Sequence, residues 1–291
     1  MSIARSPRIV AALTVLGLAT SGLLTAPASA TAAPGAAADL SVHGVPTVVA
    51  TMTKKHIRLS VGNHMRAGRV MFKVVAGDHH GHELQLLRLH HGYTARQAQA
   101  DFGKAFRGNV AAVNRVDDHI TFLGGAPARP GQPGWFSVNL HANRLMVVDQ
   151  NGPAATVLRV HGKPASRPTV PHDSRITALS YGFDLSSATI PAAGWTLVSN
   201  HSDQPHFVVM NRVKPGTTRK MVRDYFNSGS QKQPPWALRA STDTGVISPY
   251  RTQTFHYDLP AGRYLIMCFW PDDETGMPHA YMGMWHFVTL S

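Results

Sequence analysis

Cys268, His279 and Met284 fall within the last thirty-one residues, Ala261 to Ser291, and a histidine that follows a proline, His206, lies upstream. One soft sulfur, two imidazoles and a thioether form a ligand set suited to copper. Thiolate selects copper over harder ions, and the mixed set accommodates both oxidation states. Cys268 is the only cysteine in the chain, so it cannot be half of an internal disulfide. In an exported protein an odd cysteine implies a free thiol, an intermolecular bridge or a metal ligand, and the alternative is a small buried hydrophobe.

The elements that must position these groups are strands. Tyr264-Leu265-Ile266-Met267-Cys268-Phe269 is apolar without alternation, which fits a strand covered on both faces. Period-two geometry puts Tyr264, Ile266 and Cys268 on one side and Leu265, Met267 and Phe269 on the other. With Cys268 facing inward at the strand's end, a loop returning through His279 closes over it. Met284 follows five residues later, ahead of a last strand from Phe287 to Leu290.

An internal repeat organises the rest. His82, Arg88, Gly92, Thr94 and Phe102 match His206, Arg212, Gly216, Thr218 and Phe226 at a constant offset of 124. Asn139-Leu140 and Arg144-Leu145 match Asp258-Leu259 and Arg263-Tyr264 at an offset of 119. Two copies of one module follow. Short runs rich in β-branched and aromatic residues, Val70 to Val75, Glu83 to Leu89, Trp195 to Ser199, Phe207 to Val213 and Thr254 to Leu259, are expected strands. One helix is expected in each copy, capped by Thr94 with Gln97 in the first and by Thr218 in the second, where Gly229 is the stop. The predicted fold is all-β: two tandem Greek-key sandwiches, each with a short inserted helix.

Arg5 and Arg8 precede an apolar stretch, Ile9 to Leu24, and Ala28-Ser29-Ala30 supplies a small-residue cleavage pattern. The expected organisation is therefore a signal peptide over 1–30, a disordered Ala- and Pro-rich leader over 31–50, a first domain over 51–165, a linker over 166–173 with Pro168 and Pro171, and a second domain over 174–291. The expected location is secreted, with no membrane span, because no later run approaches the ~20 apolar residues that one requires. Of the 28 basic residues 26 remain after position 30, against 16 acidic ones, a net charge of +10. Met52 to Ala165 carries fifteen Lys and Arg against six Asp and Glu, whereas Asp173 to Ser291 carries ten against nine. A basic first half in an exported chain points to anionic cell-wall polymer as a partner ahead of nucleic acid, and solubility alone also explains the charge.

With Tyr264 to Cys268 as a strand ending in cysteine, His279 followed by Ala280-Tyr281-Met282-Gly283-Met284, and Pro205-His206-Phe207-Val208-Val209 upstream, the second half resembles the cupredoxins, the plastocyanin and azurin family of small blue-copper proteins. The resemblance implies one copper in the second domain, held by His206, Cys268, His279 and an axial Met284, and a redox partner. It reaches the first half only through the repeat. Ten residues separate Cys268 from His279, where the family has few. Doubling a loop adds only about 0.6 kcal/mol of closure cost, so the insertion does not forbid the site. It does leave Met282 as a substitute axial candidate and His201, His256 and His286 as outside ones. In the first half Asp149 stands where Cys268 stands in the second, so no blue-copper centre is expected there.

Asp78-His79-His80-Gly81-His82 reads as a polar turn with solvated histidines, or as an imidazole site for zinc or copper. Asp272 to Glu274 reads as a solvated loop tip or as a guide for a cationic partner. No Gly-x-Ser-x-Gly, phosphate-binding Gly-x-x-x-x-Gly-Lys or Cys-x-x-Cys motif is present, and His80-Gly81-His82 is the single His-x-His pair. The expected function is copper binding with electron transfer or copper handling, without enzymatic activity. The competing expectation is a metal-free adhesion or scaffold protein whose basic first domain holds anionic material.

Overall fold

The computed structural model describes residues 40–230 and 232–291. The expected export segment and the leader as far as residue 39 lie outside the described residues. The first half contains β1 (Thr47–Met52), β2 (Ile57–Leu59), β3 (His64–Ala76), β4 (His82–Leu89), α1 (Ala95–Ala105), α2 (Val110–His119), β5 (Ile120–Ala128), β6 (Gly134–Leu140), β7 (Asn143–Asp149) and β8 (Ala155–Ala165). The second contains β9 (Ser174–Leu179), β10 (Gly182–Leu185), β11 (Thr189–Ile190), β12 (Ala193–Asn200), β13 (Val209–Val213), α3 (Arg219–Asn227), β14 (Ala237–Asp243), β15 (Thr252–Asp258), β16 (Gly262–Met267), a 3-10 turn (His279–Met282) and β17 (Trp285–Leu290).

The repeat is visible in the strand pairing. In one layer the orders β2-β1-β3-β6 and β10-β9-β12-β15 correspond, with β1 parallel to β3 as β9 is to β12. In the opposite layer β8-β7-β4-β5 corresponds to β17-β16-β13-β14, all antiparallel. Each half is thus a Greek-key β-sandwich, and the fold is all-β. The halves are joined where β15 pairs antiparallel with β6, Thr254–His256 against Trp135–Ser137. A parallel pairing of β3 with β8 then makes one twelve-stranded sheet, with a five-stranded sheet beside it.

The helices follow their caps. Thr94 and Gln97 form the reciprocal box ahead of α1, and the Thr218 hydroxyl accepts from Met221 N–H at the start of α3. The first half departs from the expectation of one helix. The Asn109 side chain accepts from Ala112 N–H and starts α2, which buries Ala112, Val113 and Val116. The expected disordered leader over 31–50 is also corrected: its last residues enter β1, where alternate residues Val48 and Ala50 are buried against β3.

Two glutamines fix the halves against each other. Buried Gln85 of β4 accepts from Val246 N–H at 2.7 Å and donates to Val246 O at 3.1 Å. Gln253 of β15 accepts from Gly125 N–H at 2.9 Å. Between them Gly245 N–H donates to Gly125 O at 2.9 Å, a backbone approach that leaves no room for a side chain on Gly245, while the Leu84 carbonyl excludes one on Gly125. Trp270, just beyond β16, packs its ring edge-on against Phe102, Phe106 and Phe122 of the first half at centroid separations of 5.8, 5.6 and 5.2 Å.

Candidate metal centre

The alternation expected for β16 holds. Tyr264, Ile266 and Cys268 pack in the core shared by both halves, while Leu265 and Met267 pack, with Phe269, under α3. Cys268 therefore turns inward just past the strand's last residue and is fully buried. His206 precedes β13 and is pinned by a two-bond bridge to Ile247, His206 N to Ile247 O at 3.0 Å and Ile247 N to His206 O at 2.8 Å.

The ten-residue insertion folds back on itself. Pro271 bridges Pro278, and Asp272 N donates to Met277 O at 2.9 Å, so 272–277 is a pinched-off excursion. Asp272 caps it, accepting at Oδ1 from Thr275 N–H at 2.7 Å and from the Thr275 hydroxyl at 2.6 Å. Beyond the pinch His279 N donates to Trp270 O, Ala280 N to Cys268 O, and Met284 N to His279 O, at 2.9, 2.7 and 2.9 Å. The loop is closed by backbone bonds, and His279 arrives over the thiol.

His206, Cys268 and His279 are the one three-residue metal-competent cluster among the described residues. Cys268 Sγ lies 3.5 Å from His206 Nδ1 and 3.8 Å from His279 Nδ1, and the two Nδ1 atoms are 3.1 Å apart. The point equidistant from three atoms so spaced is about 2.0 Å from each, against ~2.0–2.3 Å for metal–imidazole and metal–thiolate bonds. The donor set fits one cation in a trigonal His₂Cys plane, the arrangement of electron-transfer copper.

Electrostatics agree. Burial pushes His206 down to about 3, with repulsion from His279 adding to it, and burial pushes His279 down to about 4 against the pull of Asp272. Burial likewise pushes the Cys268 thiol up to about 12, against backbone N–H groups of Phe207 and Trp270 directed at the sulfur. Both rings are kept neutral with lone pairs to donate, and a bound cation would supply the charge that a buried thiolate needs.

Four residues, Gln204, Asp272, Asp273 and Tyr181, none of them expected at the site from the sequence, support His279. Its Nε2–H donates to Gln204 Oε1 at 2.8 Å, and the Gln204 amide nitrogen donates to Asp272 Oδ2 at 3.2 Å and Asp273 Oδ1 at 2.8 Å. Two carboxylates thus orient the amide, the amide fixes the proton on Nε2, and Nδ1 is left with its lone pair toward Cys268. Tyr181 donates to Asp272 Oδ2 at 2.9 Å and lays its ring edge-on to His279 at 5.8 Å. The one trace of this support in the sequence is the nearness of Gln204 to His206, and it does not disclose the role, because the carboxylates that complete it stand 68 and 69 residues away.

Met284 is fully buried beside Cys268, and its backbone closes the loop at both ends, accepting also from Cys268 N–H at 3.3 Å. The Met282 thioether instead faces the Thr275 hydroxyl at 3.8 Å. His201, His256 and His286 stand outside the cluster, His256 against the Trp195 ring at 5.2 Å. The solvated-tip reading of Asp272 is corrected, since its carboxylate is fully buried within this support.

In the first half His82 Nδ1 lies 2.7 Å from Asp149 Oδ2 and its Nε2 2.9 Å from Asp78 Oδ1. His82 is therefore not a solvated turn histidine, although His79 and His80 are exposed.

No protein-family profile and no curated protein matches the chain. Solved structures similar to it include the dithionite-reduced auracyanin of Roseiflexus castenholzii, at 19% identity and TM-score 0.27, covering 40% of this chain and 94% of that one. The McoA multicopper oxidase of Aquifex aeolicus, at 11% and 0.25, covers 85% of this chain and 66% of its own. The copper-containing nitrite reductase of Thermus scotoductus, at 10% and 0.24, covers 84% and 61%. The expectation of a protein without enzymatic activity is corrected by this finding, because named enzymes stand among the similar structures. Likeness of this degree assigns the chain neither a metal nor an activity, and the case for copper rests on the donor geometry.

Proposed function

We propose that the second half binds one copper ion through His206, Cys268 and His279, with Met284 as the axial contact, and that the protein carries electrons or handles copper outside the cytoplasm. The supporting observation is the buried triangle of Cys268 Sγ and two imidazole Nδ1 atoms, spaced for a single cation. A copper ion so held would supply one-electron chemistry.

The chain's own part is to keep the donors in place. His206 is locked to Ile247, His279 is locked through Gln204 to Asp272, and the Trp270 N–H donates to Cys268 Sγ at 3.4 Å. Ligands that do not move between oxidation states lower the reorganisation that electron transfer demands. His279 has no exposed surface, whereas Tyr181 above it is 43% exposed and is the ring through which a redox partner would approach. No helix among the described residues is long and apolar enough to cross a membrane.

Adding Cu(II) to the purified protein is expected to produce an intense visible thiolate band that Cys268→Ser abolishes. An unchanged spectrum and affinity in that variant would end the copper reading. Electron carriage then predicts reversible bleaching by a mild reductant with the metal retained, whereas copper handling predicts release of Cu(I) to a competing chelator.

A further inference from the structure

A second site lies away from the cysteine, in the cleft between the two halves. Arg88, on β4 of the first half, and Arg251, one residue before β15 of the second, line the same cavity of about 40 Å³ with Thr121, Asn139, His141 and Asn143. Neither guanidinium makes an ion pair among the described residues. Arg88 Nη2 donates to Thr121 Oγ1 at 3.1 Å and to His90 Nε2 at 3.2 Å, while its Nε is buried with no partner. Arg251 is held below the usual arginine range by burial and by the charge of Arg88. Two like charges face one partly desolvated space with no acid between them, an arrangement that raises the energy of the ligand-free protein.

The cleft continues. Asn139 also lines a neighbouring cavity of about 280 Å³ that carries Arg69 and Arg167. Arg167 Nη1 donates to Arg69 O at 2.7 Å, which leaves the rest of its fork available, and Arg69 Nε is again buried without a partner. Four arginines thus follow one track across the joint between the halves. A planar fork of N–H donors matches the oxygens of a tetrahedral anion, and the amides of Asn139 and Asn143 add neutral donors beside it.

We propose that this cleft binds a phosphate-class oxyanion between Arg88 and Arg251, with Arg69 and Arg167 receiving the next charge when the anion belongs to a polymer. The site is independent of copper. It narrows the partner expected from the basic first half: the anion is bound at the seam of both halves and not by the first half alone.

The test is titration of inorganic phosphate, and separately of polyphosphate chains, into the full-length protein at constant ionic strength, read by the arginine Nε–Hε resonances and by the unfolding temperature. Saturable shifts with phosphate that chloride does not produce are expected, together with a rise in unfolding temperature. Arg251→Gln and Arg88→Gln should each weaken phosphate binding at least tenfold, and Arg251→Gln should unfold no earlier than the parent in the absence of anion, since it removes a like-charge contact. Arg167→Gln should leave phosphate binding intact and weaken the polymer several-fold. Binding of polyphosphate alone, abolished by Arg251→Gln, would assign the site to polymer-borne phosphate. Absence of saturable binding by either anion, or binding unchanged in Arg88→Gln and Arg251→Gln, overturns the proposal.

Discussion

His82 Nδ1 meets Asp149 Oδ2 at 2.7 Å at the places in the first half where His206 and Cys268 meet in the second. The repeat that relates His82 to His206 at 124 residues and Arg144 to Arg263 at 119 therefore relates two buried pairs. One is a neutral imidazole beside a thiol. The other is an imidazole between two carboxylates, since Asp78 Oδ1 takes the second nitrogen at 2.9 Å. A proton on His82 supplies the positive charge that a cation would supply in the second half.

That relationship sets a pH dependence. Burial lowers the affinity of His82 for its second proton, but hydrogen bonds and attraction from Asp149 and Asp78 outweigh it, so His82 titrates above its ordinary 6.5. A group whose folded pKa is raised contributes stability that is complete below the unfolded value and fades as pH climbs through the folded one. The unfolding temperature of the metal-free protein should accordingly decline from about pH 6.5 upward, and His82→Gln should flatten the slope. A His82 ring whose NMR titration falls below 6.5 would contradict this account.

The sequence carried more of this architecture than of the site's support. Unbroken apolarity from Tyr264 to Phe269 placed Cys268 on the inner face, where the structure has it, because a strand's side chains alternate whatever the surroundings. The caps at Thr94 and Thr218 were legible for the same reason, being local. Gln204 was not, because its role depends on the 272–277 excursion returning Asp272 from 68 residues away. The second helix leaves little trace in the sequence because its cap, Asn109, directly follows Gly108 and the pair reads as a simple turn. The Ala- and Pro-rich composition of 31–50 points to disorder, but Thr47, Val48, Val49 and Thr51 are β-branched, and pairing with β3 orders them as β1.

Gln204→Leu tests the support of His279 directly. Removing the amide leaves the buried Nε2–H without an acceptor, a cost of about 1–3 kcal/mol unless the ring takes the other tautomer, in which case Nδ1 acquires the proton and loses its lone pair. Either outcome weakens copper, by about 10–100-fold for a partner of this kind. Nitrogen chemical shifts of His279 in the metal-free protein report which of the two occurs, and an Nε2-protonated ring together with parent-like stability and copper affinity in Gln204→Leu would remove Gln204 from this role.

Asp272 should make the metal loop acid-sensitive. Burial opposes its charge, but hydrogen bonds from Thr275, Gln204 and Tyr181 together hold its carboxyl down to about 2. Its folded pKa being depressed, it contributes stability that is complete above the unfolded value of about 3.9 and is lost as pH falls toward 2. Asp272→Asn cannot accept at both oxygens, and is expected to raise amide exchange across 270–279 at neutral pH and to reduce the acid dependence of unfolding. Wild-type exchange rates in this loop for Asp272→Asn would count against it.

Gly245→Ala addresses the joint between the halves. A Cβ on Gly245 would fall on the Gly125 backbone nitrogen and stand 2.5 Å from its Cα, in a place where the approach is backbone to backbone and no side chain can yield. The two backbone segments must separate, stretching the Gly245 N–H to Gly125 O bond and with it the Gln85 bonds to Val246. Forced overpacking of this sort costs about 1–3 kcal/mol. Because His206 is pinned to Ile247, two residues along the same segment, the displacement should also reach the metal centre. Chemical denaturation should show the loss of stability, and the copper-bound spectrum should broaden or shift. Parent-like stability together with a parent-like spectrum would mean that the seam is softer than its backbone contacts imply.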